Sequence, residues 1–237
     1  MGVMAEIAST LITVQGSHSE WFEAERGTVW VTVAHDGPDR APVFEKTTTV
    51  AATLTKALGG MSDPDKGPVT WWSYDQARVW SERPWNQQGK QLAPVFHATV
   101  SISAKFSDFD ALSAWVEQIA TVNGVNVGSI TWDLTETKRK DVTDEVRRLA
   151  VADAQAKARV FASAVGLGEP RAVAIADPGM LGDPAPGASG GGFERMAFKS
   201  QAAPMMAMDS GGGTLSFTPE KIEVAASVDI RFAAESV

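Results

Sequence analysis

Hydrophobic positions along the chain recur with two periods, two and about three and a half, and the order in which the periods alternate outlines the fold. Thr10 to Gly16 and Thr28 to Ala34 are rich in β-branched residues, and the second alternates apolar and polar, as a half-buried strand does. Phe44, Thr47, Ala51, Leu54 and Leu58 then recur at helical spacing, with Pro42 in the first turn and Gly59-Gly60 predicted as the end. The β-branched run Thr47-Thr-Thr-Val50 counts against this helix, because its side chains lose rotamer freedom there. Asp63 to Pro68 is a loop by composition, and Val69 to Ser81 with Leu92 to Phe106 predicts a long hairpin through the turn Pro84 to Gly89.

The second half begins with Ser107-Asp108, which can cap a helix bearing Phe109, Leu112, Trp115, Val116, Ile119 and Val122 on one face and ending at Asn123-Gly124. Val127 to Leu134 reads as a strand. A long helix is expected from Lys138 to Gly166, with Val142, Val146, Leu149, Ala150, Ala154, Ala158, Phe161 and Val165 along its buried side and Gly166 or Gly168 as its stop. Lys138-Arg-Lys140 at its start opposes the helix dipole, and Asp144–Arg148 and Asp153–Lys157 are available as pairs one turn apart. Arg171 to Ala176 is another strand. Pro219 to Phe232 closes the pattern with unbroken alternation through Ile222, Val224, Ala226, Val228, Ile230 and Phe232.

Between the last two strands, residues 178–217 hold nine of the 21 glycines with many Pro, Ala, Ser and Met, and few large branched side chains; the expectation is a low-complexity mobile loop. The elements together predict an α+β fold of mainly antiparallel sheets packed by about three helices. It spans residues 1–237 as a single domain or as two interleaved α+β subdomains.

Composition narrows the partners. The 21 basic and 29 acidic residues leave a formal charge of −8, which argues against a nucleic-acid binder that must neutralise phosphates. The absence of cysteine removes disulfides, thiolate metal sites and cysteine nucleophiles. No window has the roughly 18 apolar residues of a membrane helix, and Met1 to Ile7 lacks the basic and apolar regions of a secretory leader. Cytoplasmic location is the expectation, with a periplasmic or extracellular one if a leader has been trimmed.

No motif carries catalytic chemistry, and a non-enzymatic protein without cofactor or bound metal is expected. His18, His35 and His97 are scattered, with no partner at metal-ligand spacing, and read as surface or strand-end residues. Gly187 to Gly192 and Gly211 to Gly213 lack the strand–helix setting of a phosphate loop and read as linker. Met196, Met205, Met206 and Met208 have the softness for Cu(I) but no histidine or cysteine beside them, so subunit or partner contact is the stronger reading. Trp71, Trp72, Tyr74, Trp80 and Trp85 are the most distinctive cluster. Strand geometry expects Trp72, Tyr74 and Trp80 on one face and Trp71 on the other, as a core or oligomer contact or, alternatively, a platform for sugars or an apolar ligand.

Several local sequences, in order, resemble the SIMPL family: Ile12-Thr-Val-Gln-Gly16, Ala98 to Ser103 followed by Phe109-Asp-Ala-Leu112, Val127-Gly-Ser-Ile130, Ala150 to Ala158 leading to Ala164-Val-Gly-Leu-Gly168, and Ile222 to Val228. The resemblance covers nearly the whole chain and includes the Met-bearing segment before the last strand. It implies an α+β protomer and, as in some relatives, ring-like or hollow homo-oligomers. Relatives also include periplasmic immunogenic and oxidative-stress-defence proteins, which implies a stress or envelope role. The resemblance brings no catalytic motif, and the tryptophan-rich stretch departs from it.

Overall fold

The computed structural model describes residues 9–181 and 217–236. Its elements are β1 (Thr10–Phe22), β2 (Arg26–Gly37), α1 (Arg40–Met61), β3 (Val69–Tyr74), β4 (Arg78–Glu82), β5 (Val95–Phe106), α2 (Phe109–Ala120), β6 (Val125–Asp133), α3 (Glu136–Ala164), β7 (Arg171–Ala176) and β8 (Ile222–Ala234). With every strand pairing antiparallel, the fold is α+β. The elements fall into two compact units. One holds β1, α3, β7 and β8; the other holds β2 to β6, α1 and α2.

In the first unit the strand order is β1-β8-β7. β1 and β8 pair over thirteen residues, from Thr10 opposite Ala234 to Phe22 opposite Ile222. Val14, Ile230 and Phe232 share one face and bury Ala154 and Ala158 of α3. The helix begins at Glu136, two residues before the expected start, because Thr135 caps it by accepting from the Lys138 N–H. Its buried residues are Val142, Val146, Ala150, Ala154, Ala158 and Ala162, one in every four. That strict spacing follows a single ridge of the helix surface, so three residues expected on the stripe fall beside it. Leu149 is half-buried, and Phe161 and Val165 are 52% and 68% exposed. Gly166, at φ 75°, ends the helix: its N–H reaches the Ser163 carbonyl while that of Leu167 reaches Ala162, a closing pair that needs the left-handed residue. Of the expected ion pairs Asp153–Lys157 forms at 2.7 Å, whereas Asp144 pairs with Arg147 and Arg148 pairs with Glu145, each three residues apart.

In the second unit the order is β3-β5-β2-β6, with β4 pairing β5 further along the edge that β3 occupies. Val29, Val31 and Val33 of β2 and Val100, Ile102, Ala104 and Phe106 of β5 form one face, against which Leu54 and Leu58 of α1 and Leu112, Trp115 and Ile119 of α2 pack. The threonine run does not break α1, because Thr47 and Thr48 return their hydroxyl bonds to the carbonyls of Val43 and Phe44. Val43 takes the buried place expected for Phe44, which is exposed. Nor do Gly59 and Gly60 end this helix; it runs to Met61, since Leu58 and Met61 pack on the core and outweigh a propensity cost of about 1 kcal/mol per glycine. Asp108 caps α2 by accepting from the N–H groups of Asp110 and Ala111.

The expected hairpin forms with an interruption. Tyr74 stands opposite Ile102 and Arg78 opposite Thr99, so residues 75–77 face only two residues of β5. The extra residue is a bulge, tied down by the bond from Asp75 N–H to the Ser101 carbonyl.

Candidate functional site

That bulge decides where the aromatic side chains go. An odd insertion in a strand exchanges its two faces beyond that point. Before it, Trp72 and Tyr74 lie opposite Ala104 and Ile102, on the core face, and stack on each other with centroids 6.2 Å apart. After it, Trp80 lies opposite His97 on the other face and stacks on that ring at 5.2 Å. Trp71 is opposite Lys105 and shares Trp80's face. The expectation that Trp72, Tyr74 and Trp80 face the same way is therefore overturned.

The five aromatic residues do not form a single cluster. Among the described residues no ring contact joins the Trp72–Tyr74 stack to the Trp80–His97 stack, and Trp85 stands on the turn, bridged to Gln91. A continuous aromatic platform for a sugar or apolar ligand is absent, which removes the basis of that alternative. Instead the face away from the helices carries Trp30, Trp71 and Trp80, each about half exposed at 49%, 48% and 47%. Trp30 was not distinguished in the sequence; the signal was its place between Val29 and Val31 in an alternating strand. Ser73 and Ser103, whose hydroxyls bond at 2.9 Å, form part of the polar floor of this face.

At one end of this face a shallow cavity of about 300 Å³ is lined by Ala34, Asp36, Trp80, His97 and Thr99, among others. His97 Nε2 lies 3.4 Å from Glu82 Oε1, yet the pair lacks hydrogen-bond alignment and the nitrogen is left without a hydrogen-bond partner. His35, expected at the surface or a strand end, is buried and structural: Nδ1 is 3.2 Å from Thr47 Oγ1 and Nε2 is 3.2 Å from the Asn123 carbonyl, linking β2, α1 and the turn before β6.

Among the described residues no three His, Asp or Glu side chains gather as a metal site. No described helix is long and apolar enough to cross a membrane. Met196, Met205, Met206 and Met208, with most of the expected loop 178–217, lie outside the described residues.

The order of elements and the local sequences at β1, α3 and β8 agree with a family-wide pattern: the SIMPL family, described as protein of unknown function (DUF541), matches residues 12–232. The chain belongs to the SIMPL family. No curated protein matches it. The SIMPL match runs from Ile12 in β1 to Phe232 in β8, so it takes in the whole of the second unit and most of the first.

Proposed function

We propose that this SIMPL protein is a non-enzymatic structural or interaction protein that works as a homo-oligomer. The observation supporting this is the sheet face bearing Trp30, Trp71 and Trp80, three large rings left half exposed on a mostly polar surface that also carries Thr32, Ser73, Arg78, His97, Ser101 and Lys105. Tryptophan is among the residues enriched where interfaces bury area, and scattered rings on a polar face suit a broad contact better than a small ligand. A ring-like or hollow assembly and a stress or envelope role are proposed from the family resemblance alone.

Light scattering on the eluted chain at micromolar concentration tests the reading. A multiple of the 25.2 kDa protomer is expected, falling towards one protomer when Trp30 and Trp71 are both replaced by Ser. A clean monomer for the unmodified chain would end the proposal. An assembly unchanged by the double substitution would remove this face from it.

A further inference from the structure

β1 is a thirteen-residue edge strand whose one strand neighbour among the described residues is β8. Such an edge offers a row of unpaired N–H and C=O groups to any extended chain, and natural sheets guard it with lysine, proline, a bulge or a covering element. On β1 the outward-turned peptide groups belong to residues of the same parity as Gln15 and Ser17. Thr13, Gln15, Ser17 and Ser19 are exposed and uncharged, and the β1–β8 register runs without a bulge. The strand's own sequence therefore supplies none of the usual guards at its centre.

The guard comes from α3. Lys157 Nζ donates to the Gln15 carbonyl at 3.0 Å, the Ser17 N–H donates to Asp153 Oδ2 at 2.9 Å, and the two side chains pair at 2.7 Å. In a parallel ladder, a residue on the neighbouring strand donates its N–H to the carbonyl before the facing residue and accepts from the N–H after it. With Gly16 as the facing residue, the ammonium takes the place of that N–H and the carboxylate that of the C=O. Helix α3 comes within reach because Gly16 has no side chain: a Cβ there would lie 2.0 Å from the Ala150 carbonyl oxygen.

We propose that the Asp153–Lys157 pair is a side-chain surrogate for a neighbouring strand, and that it keeps the β1 edge closed to the β1 edge of a second copy of this chain. A second copy is the fitting occupant because two such edges match in length and bring no like charges together along their outward row. This goes beyond the assembly proposed above, which concerns the sheet of the other unit.

The full-length chain is compared with two variants by sedimentation velocity and amide hydrogen exchange. Asp153→Ala/Lys157→Ala removes the surrogate. Asp153→Lys/Lys157→Asp keeps an ion pair on α3 but presents a donor to Ser17 N–H and an acceptor to the Gln15 carbonyl. Both variants are expected to form larger species that grow with concentration, with slowed exchange at the Thr13 and Ser19 amides; Asp144→Ala/Arg147→Ala, away from the edge, is expected to sediment as the unmodified chain does.

The idea is overturned if the charge-exchanged variant sediments like the unmodified chain, or if larger species form while those amides exchange as before. A loss of helical signal in both edge variants also counts against it, since the pair would then be holding α3 rather than guarding an edge. A monomeric unmodified chain sinks the assembly reading and leaves this one standing.

Discussion

Gly16 and Ala154 meet where β1 passes beneath α3: a Cβ built on Gly16 would lie 2.7 Å from the Ala154 Cβ and 2.0 Å from the carbonyl oxygen of Ala150. The second contact is the more severe, because it is with backbone inside a long helix. Gly16→Ala is expected to destabilise the protein by about 1–3 kcal/mol, the cost of overpacking a close-fitting core. Ala154→Gly in the same chain should restore little of it, since the Ala150 carbonyl remains. Equilibrium denaturation of the two single variants and the double variant checks this, and full rescue would show that the side chain sets the helix distance.

The ion pair on the same helix gives a pH dependence with a defined sign. The Lys157 hydrogen bond, and after it the Ser17 N–H, hold the Asp153 carboxyl below its ordinary value of 3.8. The unfolded chain then binds a proton at a higher pH than the folded one. The contribution is therefore present above 3.8 and is lost as pH falls through the lower folded value. The stability difference between the unmodified chain and Asp153→Asn should be visible at neutral pH, shrink in salt, and close as the solution becomes strongly acidic. Thermal melts across pH test it, and a difference that widens on acidification would contradict the assignment.

Gly124 and His35 make a second close contact. Gly124 has φ 85°, and a Cβ on it would meet His35 Nε2 at 2.3 Å. Gly89, at φ 73°, has open space around it. Gly89→Ala should thus cost only the left-handed backbone, about 1–2 kcal/mol. Gly124→Ala should cost more, because it also displaces a ring that joins Thr47 to the Asn123 carbonyl. Equal losses in denaturant titrations would show that the ring yields without penalty.

Much of this architecture was legible in the sequence, and the misses have different causes. Strand β8 and the cap of α2 could be read directly because alternation and Asp108 are local signals. The C-terminal end of α1 and the stripe of α3 were displaced because packing overrode propensity: Leu58 and Met61 carry two glycines inside a helix, and burial at every fourth residue leaves Phe161 outside. Trp80 was assigned to the wrong face because a bulge at residues 75–77 leaves no mark on composition, yet reverses parity beyond it. The partners of Asp153 and Lys157 on β1 were invisible because they are backbone groups more than a hundred residues away.

Adjacent tryptophans on β3 supply the sharpest test of that parity. Trp72 is partly buried against the core that contains Ile102 and Ala104, whereas Trp71 projects from the opposite face and is half exposed. Trp72→Ala should therefore lower stability by about 2–4 kcal/mol, less than a fully buried ring and more than a surface one. Trp71→Ala should leave the denaturation midpoint of the isolated protomer within about 0.5 kcal/mol of its starting stability. Its effect should appear in self-association, because the ring lies on the face proposed to meet another copy. Denaturation at low protein concentration, beside light scattering at high concentration, separates the two. If Trp71→Ala were the more destabilising at low concentration, the two rings would have to exchange faces, against the register that sets Trp72 opposite Ala104 and Trp71 opposite Lys105.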